Sequence, residues 1–156
     1  ALKEKGEISE LSEAKEKIDE VIKNGTALKI LAEFIGESGG NKDLVNDYGL
    51  LPKASYVMEI FSENEGYIKK IKTEEIGKAA MIIGAGRAKK EDEVDHAVGI
   101  NIFRKVGEKI GKNEKIAEIY YNDDKNVNES KNMVIDAFVI TSEKVEEPKA
   151  IFEIIE

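Results

Sequence analysis

The sequence predicts an α+β fold in which an αα-hairpin precedes a barrel-sandwich-like mixed sheet with an inserted helix. Apolar residues recur at helical spacing between 11 and 35, and short segments rich in β-branched and aromatic residues follow between 56 and 121. The half-motifs at 66–71 and 106–110 are typical of biotinyl and lipoyl carrier domains. A chain of 156 residues is long enough for one domain with a core, or for a small domain plus a few further elements.

The first two elements are predicted helices. Apolar side chains fall on one face over residues 11–22 and again over 28–35. Asn24-Gly25 is a left-handed stop for the first helix, Thr26 is a candidate N-cap for the second, and Ser38-Gly39-Gly40 ends it. The pair has an apolar face and little of its own to bury it against, so we expect it to pack on another part of the protein.

A linker is predicted between the helices and the sheet. Residues 41–54 are rich in Asn, Asp, Gly and Pro, and Pro52 disfavours helix at Leu51. We therefore expect three parts: a helical part at 1–40, the linker at 41–54 and an α+β domain at 55–156.

The domain opens with two predicted strands and a helix. Segments 56–61 and 67–71 flank a connection of hairpin length that ends in Gly66, so we expect the two strands to pair. Thr73 is a candidate N-cap, two glutamates follow it in the first turn, and Gly84 should end the helix.

Further elements are predicted along the rest of the chain. Alternating residues at 98–103 and an apolar segment at 116–121 indicate strands, and residues 127–137 have a helical pattern. A short final strand is expected at 151–155, after Pro148.

Composition excludes several classes of function. The formal net charge of −8 argues against a nucleic-acid partner, and no apolar run approaches the roughly 20 residues that span a bilayer. No signal pattern opens the chain and there is no cysteine, so we expect a cytoplasmic protein without disulfides or thiolate metal sites. Because the chain starts at Ala1 and its methionines lie inside, we expect a trimmed chain or a fragment.

Gly84-Ala-Gly-Arg87 invites a phosphate-loop interpretation, since glycine lets backbone N–H groups approach an anion and arginine can bind it. These glycines follow a predicted helix rather than preceding one, however, and a third glycine is absent. A helix C-cap followed by a tight turn is favoured. The cations Arg87, Lys89 and Lys90 face four acidic residues, a pattern usual for solvated surface.

The remaining polar residues favour structural roles. His96 beside Asp95 could be an oriented general base, but no matching nucleophile accompanies it. The oxygen-rich segment 122–128 lacks the glycine and closing glutamate of a calcium loop, and is expected to be a turn and helix cap. No lysine lies at a predicted hairpin tip in the sequence pattern of a modified carrier lysine, and Tyr120-Tyr121 is more typical of core and rim than of a base-stacking site.

The stretch from Met81 to Gly99, continued by 106–119, resembles the C-terminal domain of pyrimidine-nucleoside phosphorylases, a group that includes thymidine phosphorylases. Its most specific part is Gly84-Ala-Gly-Arg87 with Lys90-Glu-Asp92, Asp95 and Ala97-Val-Gly99. The resemblance implies an α/β-hammerhead domain of a homodimeric pentosyltransferase, a glycosyltransferase of pyrimidine nucleoside metabolism. Such enzymes convert a pyrimidine nucleoside and phosphate to the free base and a pentose 1-phosphate.

The family's active-site motifs are missing from this sequence. Its phosphate loop is Lys-His-Ser-Thr-Gly-Gly, and its base site uses an arginine, a serine and a lysine, all upstream of this domain. The resemblance therefore implies no catalytic residue, metal or cofactor here, and a C-terminal fragment that is inactive alone. Residues 1–40 would end the parent's nucleotide-binding domain.

The rest of the parent chain would be the partner of this fragment, and it would bind most of the phosphate and nucleoside. The remainder of the present chain would close or support the cleft, with Gly84, Gly86, Arg87 and Lys89 as the loop that faces it. The alternative is a stand-alone lipoyl- or biotinyl-like binding or interaction module without a modifiable lysine.

Overall fold

The computed structural model describes residues 11–87 and 89–149, and the chain divides into two compact units between Leu51 and Pro52. The first unit is helical. The second contains two small sheets and two further helices. These helices and sheets confirm the α+β class.

The first unit begins with the predicted pair of helices, α1 (Leu11–Lys23) and α2 (Thr26–Glu37). Gly25 between them has a left-handed φ of 79°, which favours glycine. The predicted capping role of Thr26 is wrong, because Thr26 is the first helical residue and Gly25 occupies the N-cap position. The Asn24 side chain instead accepts the Thr26 N–H at 2.9 Å.

The apolar side chains of this helical pair are exposed within their unit. No residue of α2 is buried, and Phe34 is 68% exposed, Ile30 59% and Ile22 of α1 61%. A helix acquires most of its stability by burying its apolar face. This unit does not supply the surface that would cover that face.

Two short 3-10 helices, Lys42–Val45 and Tyr48–Leu50, occupy the segment predicted as a linker. Each has an acceptor side chain at its N-cap. Asn41 accepts the N–H of Asp43 at 2.9 Å, and Asp47 accepts the N–H of Gly49 at 2.8 Å.

In the part of the chain that the structure describes, the second unit has six strands in two antiparallel three-stranded sheets. The first sheet has the order β1-β5-β3 and the second β4-β2-β6, so that each successive strand lies in the other sheet. All described pairings are antiparallel, which corrects the expectation of a mixed sheet for these strands. The strands are β1 Tyr56–Phe61, β2 Gly66–Ile71, β3 Gly99–Ile102, β4 Lys109–Ile110, β5 Lys115–Tyr121 and β6 Phe138–Thr141.

The predicted pairing of the first two strands is wrong. A bulge after Ile60 ends the regular pairing of β1 with β5, and the chain then crosses to the second sheet. Ser62 is buried at the crossing, where its N–H donates to the Glu114 carbonyl at 2.9 Å and its Oγ donates to the Asn64 carbonyl at 2.6 Å. These bonds stabilise a turn that leads from one sheet to the other, rather than a hairpin within one sheet.

Strands β4 and β6 were not predicted. The two residues of β4 are too few to show a pattern, and β6 follows a helix without a turn signal. The final strand expected at 151–155 lies outside the described residues.

Two helices complete the second unit, α3 (Thr73–Ala80) and α4 (Val127–Ala137). Thr73 is the first residue of α3 rather than its N-cap, which is Lys72. The helices pack on each other, and the buried Ser130 Oγ of α4 donates to the Ala79 carbonyl of α3 at 2.9 Å.

The core of this unit is mainly aliphatic and lies between the sheets and the two helices. Each fully buried isoleucine stabilises the fold by roughly 1.5–3 kcal/mol relative to exposure. The largest fully buried apolar side chains are Ile60, Ile68, Ile110, Ile116, Ile119 and Val134. Among the described residues, no helix has the length and apolar character needed to cross a membrane.

Candidate functional site

The predicted site begins where α3 ends. The helix continues as one wider turn, Met81–Ala85, which Gly84 interrupts with a φ of 100°. This positive φ confirms Gly84 as the residue that ends the helix. The Asn126 side chain donates from Nδ2 to the Ile82 carbonyl at 2.8 Å, which satisfies a carbonyl that the irregular turn leaves free.

Residues 84–87 and 89–98 belong to a loop, called here the 84–98 loop, whose two ends are joined through Asp95. The Asp95 N–H donates to the Gly84 carbonyl at 2.9 Å, and one carboxylate oxygen accepts the Ala97 N–H at 2.9 Å. The other carboxylate oxygen accepts from Asn122 Nδ2 at 2.7 Å. These bonds fix both ends of the loop to the end of the first sheet.

Asn122 continues the network to β1. It directly follows β5, and its Oδ1 accepts the N–H of Ser55, the residue before β1, at 2.6 Å. Beside it, the rings of Tyr56 and Tyr121 stack with centroids 5.4 Å apart. The loop is therefore attached to a paired and packed part of the sheet.

The electrostatics of Asp95 agree with this arrangement. The Ala97 N–H and then the Asn122 amide donate to its carboxylate, and they hold the pKa of Asp95 below its ordinary value. His96 is exposed, and the described hydrogen bonds of the Asp95 carboxylate go to Ala97 and Asn122. This geometry favours the structural interpretation of Asp95 over an oriented general base.

Gly84, Gly86, Arg87 and Lys89 all lie in the 84–98 loop or at its start. Gly86 has extended backbone and packs against Met81. Arg87 and Lys89 are exposed, and the Lys89 N–H donates to the Asp92 carboxylate at 2.8 Å. The structure therefore presents both cations to solvent from a loop with a fixed base.

A small cleft lies beside the turn that ends α3. It has a volume of about 210 Å³ and is lined by Gly84, Asp123, Lys125 and Asn126 among others. Asp123 accepts the Lys125 N–H at 2.8 Å, which confirms the predicted turn before α4. The predicted cap is only partly right, because Asn126 occupies the N-cap position without a side-chain capping bond. Within residues 11–87 and 89–149, no three His, Cys, Asp or Glu residues could hold a metal ion.

A second polar cluster lies on the outer face of the first sheet. Lys115 Nζ contacts Glu118 at 2.8 Å and Glu59 at 2.9 Å, and it lies 5.2 Å from the centre of the Phe103 ring. Tyr120 donates to Glu118 at 2.7 Å. The bonds from Lys115 and Tyr120 lower the pKa of Glu118, and the bond to Glu118 raises the pKa of Tyr120.

Both tyrosines at the end of β5 thus have structural contacts. Tyr120 binds a neighbouring carboxylate, and Tyr121 packs on the core beside Tyr56. These contacts confirm the predicted core and rim roles.

Sequence reasoning missed the contribution of Asn122 and Ser55 to the site. The Asp95 to Ala97 bond spans two positions and is a turn that Asp commonly forms, so the sequence contains a local signal for it. The Asn122 to Asp95 bond joins residues 27 positions apart. One sequence contains no signal for such a pair.

Comparison with known proteins places the loop inside a family domain. Residues 67–141 match the family model described as Pyrimidine nucleoside phosphorylase C-terminal domain. The chain is 42% identical over 145 residues to the pyrimidine-nucleoside phosphorylase of Bacillus subtilis and 35% identical over 145 residues to that of Geobacillus stearothermophilus. Both matches cover 93% of this chain and 33% of the relative.

A pyrimidine-nucleoside phosphorylase of Staphylococcus epidermidis is 41% identical over 112 residues, or 72% of the chain and 26% of that relative. The chain thus spans about a third or less of the length of these curated relatives. The matches favour the phosphorylase interpretation over the carrier-module alternative.

Proposed function

This chain belongs to the pyrimidine-nucleoside phosphorylase family, whose C-terminal domain it contains, and we propose that it supports the active-site cleft of such an enzyme without catalysing the reaction itself. The reaction would be the phosphorolysis of a pyrimidine nucleoside to a free base and a pentose 1-phosphate. Phosphate and nucleoside would bind mainly to parts of the enzyme that correspond to the other two thirds of the relatives. The two antiparallel sheets would form the barrel-sandwich core of a hammerhead domain.

The observation that carries the proposal is the fixed base and exposed tip of the 84–98 loop. Asp95 joins the loop's ends, while Arg87 and Lys89 extend into solvent. Placed at the edge of a cleft, such cations would attract a phosphate and restrict its position. We propose that Gly84 and Gly86 shape this loop and that Arg87 and Lys89 face the cleft.

The helical unit supports the same proposal independently. Its exposed apolar residues, Phe34 among them, need a covering surface, and an exposed apolar patch commonly marks an interaction site. We propose that residues 1–40 pack against the nucleotide-binding part of the phosphorylase and that the assembled enzyme is a homodimer. The absence of cysteine from the sequence supports the cytoplasm as its compartment.

A complementation experiment tests the proposal. The chain is mixed with the separately expressed upstream portion of a phosphorylase, and phosphate-dependent release of uracil and thymine is measured for the mixture and for each piece alone. We expect activity only in the mixture. Activity in the upstream piece alone would reduce this domain to a structural role, and activity in this chain alone would contradict the proposal.

A charge variant then tests the loop. Arg87→Gln should raise the KM for phosphate in the complemented enzyme, because it removes a cation from the proposed cleft edge. Lys112→Gln is the matched control, since Lys112 is an exposed cation in the turn between β4 and β5. Equal phosphate KM values for the two variants would count against a role for Arg87.

A further inference from the structure

The hydrogen bonds at the base of the 84–98 loop form a continuous chain in which every donor faces an acceptor. Ala97 and Ser55 contribute backbone N–H groups, which only donate. The Asp95 carboxylate, when ionised, only accepts. The Asn122 amide lies between them, accepts from Ser55 with Oδ1 and donates to Asp95 with Nδ2. Every group in the chain is matched.

We propose that Asp95 and Asn122 form a clamp that fixes the 84–98 loop to the first sheet, and that Asp95 is thereby a positioning residue for Arg87 and Lys89. The clamp joins elements far apart in the sequence, because Asn122 follows β5, Ser55 precedes β1 and Asp95 carries the loop. The expected effect of the clamp on phosphorolysis rests on the proposed function. The existence of the clamp does not depend on that function.

The matched chain makes a specific prediction about single substitutions. In Asp95→Asn, the new amide offers one acceptor where the Ala97 N–H and the Asn122 amide require two. Rotating the new amide at position 95 turns its NH2 group toward the Ala97 N–H. Rotating the Asn122 amide instead turns its NH2 group toward the Ser55 N–H. In Asn122→Asp, two carboxylates face each other. Each single substitution therefore leaves one pair of like groups in contact.

The double substitution removes the mismatch. With Asp95→Asn and Asn122→Asp together, the new amide accepts from Ala97 and donates to the new carboxylate, which in turn accepts from Ser55. The number of charges is unchanged. A clamp based on matched donors and acceptors should therefore be lost in each single variant and restored in the double variant.

Limited proteolysis reads the state of the loop without any enzyme assay. Trypsin cleaves after arginine and lysine, so cleavage after Arg87 and Lys89 reports release of the loop. We expect each single variant to be cleaved there roughly three- to tenfold faster than the wild type, the factor expected for one lost hydrogen bond, and the double variant to return close to the wild-type rate. Cleavage after Lys131, inside α4, reports opening of the whole unit and should stay unchanged.

Asp123→Asn is the control for loss of a nearby carboxylate. Asp123 lies next to Asn122 but bonds only locally, to the Lys125 N–H, among the described hydrogen bonds. Its removal should leave cleavage of the loop unchanged. Equal loop cleavage in the wild type and in both single variants, or a double variant as sensitive as the singles, would overturn the clamp.

The complemented enzyme tests the positioning role. Each single variant should raise the KM for phosphate several-fold with a smaller change in kcat, and the double variant should restore it. If cleavage follows this pattern but all variants share one phosphate KM, the positioning role is wrong and the proposed function stands. If no mixture, wild type included, is active, the proposed function fails, while the cleavage pattern still decides the clamp.

Discussion

Replacement of Gly84 by alanine isolates the backbone cost of the turn that begins the loop. Gly84 has φ 100° and ψ 0°, a region that side-chain-bearing residues rarely adopt. A Cβ at this position would meet the Asp95 Cβ and the Val98 Cγ2 at 3.8 Å, which is ordinary contact distance. No steric clash therefore adds to the backbone strain.

The backbone strain sets the expected loss of stability in Gly84→Ala. A non-glycine residue in the left-handed region costs about 1–2 kcal/mol, and we expect the upper part of this range because φ lies beyond the usual left-handed values. Gly77 is the matched control, since it lies inside α3 and an added Cβ there would meet no atom within 4 Å. Gly77→Ala should stabilise the helix by about 0.5–1 kcal/mol.

Urea unfolding of the full chain measures both changes. The near-UV circular dichroism of the tyrosines is the probe, because Tyr56 and Tyr121 stack in the first sheet and report on the second unit. The midpoint for Gly84→Ala should fall by about 1 M relative to the wild type, and that for Gly77→Ala should rise by a smaller amount. A Gly84→Ala midpoint equal to or above that of the wild type would refute the left-handed turn.

Three further outcomes are expected. Gly66→Ala should destabilise the second unit by at least about 3 kcal/mol in the same urea assay, because its Cβ would overlap the Thr141 carbonyl oxygen at a φ of 146°; a loss below about 1 kcal/mol would contradict this close approach. Ser130→Ala should lower the free energy of unfolding by about 1–2 kcal/mol, since it removes the buried hydrogen bond to the Ala79 carbonyl, and an unchanged urea midpoint would mean that this bond adds nothing. Glu118→Gln should be less stable than the wild type above the unfolded-state pKa of Glu118, and the difference should disappear as the pH falls through its lowered folded-state pKa; a pH-independent difference in urea midpoints would exclude the carboxylate as the cause.

The sequence predicted the positions of helices and strands better than it predicted which strands pair. The four described α-helices were expected from their apolar spacing, and α1, α2 and α3 also from the glycine or asparagine that follows each of them, because these are local signals. The two 3-10 helices lie in the segment predicted as a linker. The segments of β1 and β2 were also expected, yet the five-residue connection at 62–66 suggested a hairpin, whereas buried Ser62 turns the chain into the other sheet. That choice depends on Glu114, a residue far along the chain.

For the site, too, the sequence predicted the local residues of the loop but not their long-range partner. Gly84 and Asp95 stood out in one short motif, and the structure places them in contact. The sequence predicts Asn122 only as a turn residue, because its bond to Asp95 forms only once β5 has taken its place in the sheet. Local sequence patterns indicate which residues shape the loop, whereas long-range strand pairing determines which hydrogen bonds attach it to the sheet.

The alternation of strands between the sheets also determines how this unit must fold. Among the strands that the structure describes, no two consecutive ones pair, so they offer no hairpin that could form early and serve as a template. The β1–β5 ladder pairs Tyr56 with Tyr121, and the β2–β6 ladder pairs Ile71 with Phe138, so each joins residues more than 60 positions apart. Closing such long stretches of chain costs entropy before any contact repays it, which slows folding. We therefore expect refolding to be slow for a unit of this size, with both sheets appearing in a single kinetic phase, because each gains its strands only as the other does.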